Sequence, residues 1–286
     1  MKHAYLIIAH HEFEILKKLV QAIDDERNDI YIHIDKKVKF LPFVRTSQSN
    51  LMILTNRVDV RWGDLSQLRA EYALLEAAYK QNRQYAYYHI LSGVHLPLYP
   101  QKYIHAFFDN LQHKDVLQPM GTSDEEILLK IRRYNLFVRH FQNPNRSLKN
   151  IAQFCWKAGI WLQKKLGITR TANKQFVKVS NWCSLTHASV GYLLTKKEQM
   201  LKDYKYTLCA DEFFIATELT NSPFEPNILY YDHLLSCDFG KNSNPRIYRT
   251  EDYENLIHSG CLFARKFSMK DMNIVDKILQ YIKSES

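Results

Sequence analysis

Two periods of hydrophobicity alternate along the first hundred residues. Tyr5-Leu6-Ile7-Ile8-Ala9 is a continuous apolar run, the pattern of a strand covered on both faces. Ile15, Leu16, Leu19, Val20 and Ile23 then recur at helical spacing within 12–23. Further strands are expected over 29–35, 51–54 and 85–91, with a long helix from Leu65 to Lys80 and a shorter one at 103–108. Strands joined through helices are the grammar of a parallel sheet, so the pattern predicts an α/β fold. In such sheets functional groups collect beyond the carboxyl ends of the strands. His10, His11, Asp35, Ser92, Gly93 and His95 are therefore expected on one rim.

Downstream the pattern changes. Residues 124–178 are polar and basic, and the stretch from Leu148 through Trp156 to Leu162 predicts a helix with Trp, Phe and Ile on one side. A packed core or lid helix is the expected reading, with a partner-binding or membrane-interface helix as the alternative. A turn, strand and helix follow over 181–194, and an amphipathic helix over 274–282 ends the pattern.

Composition narrows the chemistry. With 46% hydrophobic and 24% charged residues, the chain has the balance of a folded soluble protein. It has no apolar run of about 18 residues, so no transmembrane helix is expected. The net charge of +9 calls for an anionic partner. The basic residues are scattered rather than gathered in a nucleic-acid module, which favours a phosphate-bearing small molecule or a membrane surface over nucleic acid. The five cysteines show no CxxC or Cys/His spacing, so reduced thiols in a cytosolic setting are expected. No GxxxxGK[ST], GxGxxG, HExxH or Asp-x-Asp occurs, which disfavours a P-loop, a dinucleotide site and a divalent metal.

Two blocks stand out against that background. Asp211-Glu212 lies between Ala210 and Phe213-Phe214, and Arg265-Lys266 lies between Phe263-Ala264 and Phe267. Charge in an apolar setting is costly unless paired, so the pair of blocks points to a base and a cationic clamp for an anionic leaving group. The plainer alternative for the acids is service to a helix N-terminus.

Seven segments in order carry a resemblance. They are Ala4–His10, Tyr31–Lys37, Trp62–Ser66, Ile90–Leu98, Asn181–Thr186, Asp211–Phe214 and Leu262–Phe267. Together they resemble the core-2/I-branching β-1,6-N-acetylglucosaminyltransferases and the related peptide O-xylosyltransferases, in a bacterial form. The resemblance implies a GT-A-like α/β fold with a mainly parallel sheet flanked by helices. It further implies one catalytic domain, 1–286, with a nucleotide-binding half (1–120), a variable helical insert (121–180) and an acceptor/catalytic half (181–286).

The implied reaction is an inverting, metal-independent transfer from a UDP-sugar, GlcNAc or xylose, to a hydroxyl of a glycan or lipid-linked glycan. Glu212 matches the family's general base, and a carboxylate among aromatics is expected to have its pKa raised by desolvation. Lys266 matches the diphosphate-binding lysine. Arg246 is the first choice for the accompanying arginine, with Arg265 or Arg249 as alternatives. His10, His33 and Asp35 match the uridine pocket, and Ser92, Gly93, His95, Trp182 and Asp211 are assigned to substrate. Trp62-Gly63 is weighed evenly between a packing anchor and a donor-site role. Ala210 departs from the family's proline and His95 from its aspartate, which leaves the loop entry and the donor sugar open. A start directly at the first strand favours a cytoplasmic enzyme, with a peripheral membrane contact as a further partner, acting in bacterial surface-polysaccharide assembly. A non-catalytic glycan- or nucleotide-binding protein on the same fold is the alternative.

Overall fold

A computed structural model describes residues 1–81, 84–170, 174–240 and 244–285. Residues 171–173 of the expected helical insert thus lie outside the described residues. Ten strands occur among these residues: β1 (His3–Ala9), β2 (Asn28–Ile34), β3 (Asn50–Ile53), β4 (Tyr87–Ser92), β5 (Leu96–Pro97), β6 (Asp115–Leu117), β7 (Ser184–Thr186), β8 (Ile228–Tyr230), β9 (Leu235–Cys237) and β10 (Phe263–Arg265).

Seven of them form a sheet in the order β3-β2-β1-β4-β7-β6-β8. The apolar run of β1 is central, pairing in parallel with both β2 and β4, and nearly every residue of the three strands is buried. Covering both faces of these strands is what makes the runs continuous rather than alternating. The helices Phe13–Ala22 and Ser66–Tyr79 supply part of the cover through Leu16, Leu19, Leu68 and Leu75. The expected order of elements over the first hundred residues is observed.

In the second part of the sheet, β7 and the helix His187–Thr195 match the strand and helix expected over 181–194, whereas β6 and β8 were not predicted. β7 runs antiparallel to both β4 and β6, and β6 and β8 are three residues long, too short to show a period. A small second sheet, β5-β10-β9, stands beside it. β10 pairs antiparallel to β5 and parallel to β9, which carries Arg265 to the side of the main sheet where β4 ends.

A cluster of histidines lies inside the core. His89 bonds Ser184 Oγ at 2.8 Å and His3 at 3.0 Å, and His3 stacks on His105 at 4.0 Å. Burial pushes the imidazoles of His89 and His105 down to about 3 and about 4, so these rings pack as neutral groups.

Candidate active site

The ends of β1 and β4 open onto a cleft of about 380 Å³. Gly93 N–H donates to Ile8 O at 2.9 Å, tying the end of β4 to β1, and Asp35 N–H donates to Ala9 O at 2.9 Å, tying the end of β2 to it as well. A Cβ at Gly93 would stand 2.8 Å from the Cβ of Ala9, so the close approach of the two strands requires glycine there. His10, Ser92 and Gly93 line the cleft on this side, and Trp182, Asp211, Glu212, Arg265 and Lys266 line it with them. Eight of the residues predicted for the site are thereby brought together.

Four others are not among the lining residues, and each has a local duty. His33 Nε2 accepts from Val58 N–H at 2.8 Å and anchors the following loop. The Asp35 carboxylate accepts from Lys37 N–H at 2.8 Å and from its ammonium at 2.6 Å, closing the turn after β2. His95 is buried beneath the cleft, 2.7 Å from Ser92 Oγ and edge-on to Trp182 at 5.0 Å. Burial, with the Arg265 charge, holds its imidazole well below the usual histidine range, so it is a neutral support for both neighbours. Arg246 forks onto Asp252 at 2.7 and 2.8 Å and meets Asp238 at 2.5 Å. That bidentate pairing satisfies the guanidinium outside the cleft. Arg249, at the start of the turn Thr250–Asp252, does not line the cleft either.

The carboxylates divide in an unexpected way. Cys209 adopts a left-handed backbone (φ 54°) and its N–H donates to Gly63 O at 3.0 Å, which pins the Trp62-Gly63 turn to the acidic block. The short 3₁₀ turn Ala210–Glu212 then points successive side chains about 120° apart. The burial expected at Glu212 falls on Asp211 instead. Asp211 accepts from Gln67 Nε2 at 2.6 Å and Asn181 Nδ2 at 3.3 Å, while its Oδ1 has no hydrogen-bond partner. Burial and then the charge of Glu212 push its carboxyl up to about 7. Glu71, fully buried at the cleft wall, is raised well above the carboxylate range by burial and by Asp211. Gln67 and Glu71 were missed from sequence, although their i,i+4 spacing puts them on one face of Ser66–Tyr79.

Glu212 has a different environment. Its side chain is 26% exposed and its carboxylate lies 2.8 Å from Lys130 and 3.8 Å from Lys178. Both lysines also hold Glu126, at 2.8 and 2.7 Å. Lys130 and Lys178 come from the segment expected as an insert, and no local pattern marked them.

The cations are the reverse case. Arg265 ends β10 and stacks over Trp182 at 5.0 Å from the ring centroid, and its buried Nε has no hydrogen-bond partner. Lys266 follows, its carbonyl fixed by Tyr248 N–H at 2.9 Å, and Phe267 N–H donates to Val94 O at 3.1 Å. Phe263 and Phe267 are buried and seat the pair. Burial lowers the pKa of both cations, and for Lys266 the Arg265 charge adds to it. Neither forms an ion pair among the described residues. Two adjacent cations held together without a carboxylate make a site for an anion, and a guanidinium beside an ammonium suits phosphate oxygens. No group of three or more His, Cys, Asp or Glu side chains among the described residues is arranged to hold a metal.

Known proteins resemble this chain in sequence. Xylosyltransferase 2 of Rattus norvegicus is 25% identical over 308 residues, covering 97% of this chain and 33% of that protein. A xylosyltransferase of Ciona intestinalis is 22% identical over 227 residues, covering 76% of this chain and 25% of that one. The chain spans about a third of the length of the first of these relatives. Among solved structures, the WbbM bifunctional glycosyltransferase overlaps at a TM-score of 0.47 with 8% identity, covering 100% of this chain and 52% of that one. Mouse xyloside xylosyltransferase 1 overlaps at 0.38 with 9% identity, covering 92% and 96%. The family model described as Core-2/I-Branching enzyme matches residues 3–256, nearly the whole chain, and on that match the chain belongs to the Core-2/I-Branching enzyme family.

Proposed function

We propose that this protein is an inverting glycosyltransferase of the GT-A type that moves a sugar from a UDP-sugar to a hydroxyl of a glycan acceptor. The observation that carries the proposal is the unpaired cation couple Arg265-Lys266 facing the same cleft as Glu212. In this reaction Glu212 takes the proton of the acceptor hydroxyl while its oxygen attacks the anomeric carbon. The bond from that carbon to the β-phosphate oxygen breaks, and UDP departs with the electron pair. Arg265 and Lys266 stabilise the charge gathering on the diphosphate, the task a metal performs elsewhere. Arg265 takes the place first given to Arg246, because it is the arginine that lines the cleft. His10, Ser92 and Gly93 bound the nucleotide side, and Trp182 and Asp211 the sugar side.

GlcNAc and xylose are the proposed donors, the latter supported by the xylosyltransferase relatives. A role in bacterial surface-polysaccharide assembly is carried by resemblance alone. The test is turnover of UDP-GlcNAc and UDP-xylose in EDTA, with the product anomer read by NMR. Inverted product formed without added metal is expected; a strict manganese requirement or retained configuration sinks the proposal. A non-catalytic nucleotide- or glycan-binding protein is the alternative favoured by one observation, that Glu212 is already occupied by two ammonium groups. UDP binding without turnover of any donor supports it.

A further inference from the structure

The helix Arg146–Lys165 presents two unlike faces. On one, Ala152, Ile160 and Gln163 are buried, and Trp156 Nε1 donates to Asn135 Oδ1 at 2.9 Å. The other face bears nothing among the described residues. Ile151 is 59% exposed, Phe154 72% and Trp161 61%, with Leu148 and Leu162 also exposed. Leu148, Ile151 and Phe154 at intervals of three, with Trp161 seven residues beyond Phe154 and Leu162 beside it, fall on one stripe along the helix, away from the packed side. A contiguous apolar and aromatic stripe of this length marks an interaction surface. No helix of the described residues is long and apolar enough to cross a membrane.

The charge around the stripe identifies its partner. The helix contains no Asp or Glu and carries Arg146, Lys149, Lys157, Lys164 and Lys165. More widely, the chain between Glu126 and Glu198 holds 14 Lys or Arg and no acid, exceeding the net +9 of the whole protein. Other cations of that segment, such as Lys130, Lys174 and Lys178, are paired with carboxylates from elsewhere. The five on the helix form no ion pair among the described residues.

We propose that Arg146–Lys165 is an in-plane membrane anchor that lies on an anionic lipid surface. Phe154 and Trp161 enter the boundary between headgroups and acyl chains, and Lys157, Lys164 and Lys165 meet lipid phosphates. An apolar face with aromatics, a polar face rich in lysine and no acidic residue is the composition that binds in this way. The anchor is mechanically joined to the cleft. Trp156 packs on Val138, Phe141, Leu208 and Cys209, and Cys209 immediately precedes the Ala210–Glu212 turn. A docked helix therefore sets the Glu212 side of the cleft near the bilayer, where a lipid-linked acceptor is presented. The docking does not depend on glycosyl transfer and is read without it.

The test is flotation of the full chain with vesicles of phosphatidylcholine alone or mixed with phosphatidylglycerol. Binding to the mixed vesicles is expected, weakened about a hundredfold in a K157Q/K164Q/K165Q variant at roughly fivefold per cation. A second variant, F154S/W161S, is expected to lose binding while keeping its melting temperature, since both side chains are exposed. Three outcomes overturn the proposal: no binding by the parent chain, equal binding to neutral vesicles, or full binding by F154S/W161S. A parent dimer by light scattering that dissociates in F154S/W161S also overturns it, by assigning the stripe to a second copy of the chain. Failure of the glycosyltransferase proposal would appear separately, in turnover of a soluble acceptor.

Discussion

Lys130 Nζ stands 2.8 Å from Glu212 Oε2, joining positions 82 residues apart in the chain. Burial works against the Lys130 charge, but Glu212, Cys209 and Glu126 together outweigh it and raise the ammonium above the usual lysine range. The base of the proposed reaction is thus oriented by an ion pair whose side chains are 18% and 26% exposed. Glu212→Gln is expected to lower turnover by about 10²–10⁴ while leaving UDP affinity unchanged, as removal of a general base does. Lys130→Met should lower turnover in the parent and add nothing in the Glu212→Gln background, because the two act as one unit. Steady-state kinetics with calorimetric UDP titration measures both, and additive losses would separate Lys130 from the base.

The cation couple has its own signature. UDP at a hundredfold excess over its dissociation constant should stabilise the parent by about 2.7 kcal/mol. Lys266→Ala should abolish most of that gain, and Arg265→Lys should weaken it because an ammonium cannot reproduce the guanidinium stack on Trp182. Arg246→Ala should retain the full gain while lowering the starting melting temperature, since it removes the guanidinium paired with Asp252. Loss of UDP stabilisation in Arg246→Ala alone would return the clamp to that arginine.

Asp211 carries a measurable cost. Its folded carboxyl titrates at about 7, above the unfolded value near 4, so between these pH values the folded state binds more protons than the unfolded one. Its contribution therefore favours folding in acid and is lost as pH rises from about 4 to about 7. Asp211→Asn is expected to be neutral near pH 4 and stabilising by a few kcal/mol above pH 7, at about 1.4 kcal/mol per pKa unit. Urea unfolding across that range reads the difference. A gain independent of pH would show that packing, and not charge, is responsible.

Gly93 is under a steric constraint. Gly93→Ala places a methyl 2.8 Å from the Ala9 Cβ, where two strands of the main sheet lie side by side. Overpacking at such a site costs roughly 1–3 kcal/mol, and the same shift moves His10 at the cleft edge. Lower urea midpoints together with weaker UDP binding are expected. Unchanged stability would show that β4 yields without strain.

What the sequence by itself determined is whatever a short window of side chains decides. Burial on both faces makes β1, β2 and β4 continuous apolar runs, and one buried stripe makes Phe13–Ala22 amphipathic. These patterns, with the rule that functional groups collect beyond the carboxyl ends of such strands, were enough to place His10, Ser92 and Gly93 on one rim. The ordered motifs likewise led to Glu212 and Lys266. The tertiary structure alone decided matters of environment, because burial and charge pairing depend on neighbours distant in the chain. Asp211 and Glu212 are adjacent, yet one is buried against Gln67 and Glu71 and the other is met by Lys130 and Lys178. Arg246 was the first choice from sequence with Arg265 or Arg249 as alternatives, and the carboxylates of Asp238 and Asp252 hold Arg246 outside the cleft. The helix Arg146–Lys165 was read as packed or interfacial from one apolar side; the fold shows that its packed face is a different one, so the apolar stripe faces outward. A helical period says that a face is apolar, and only the surrounding elements say what covers it.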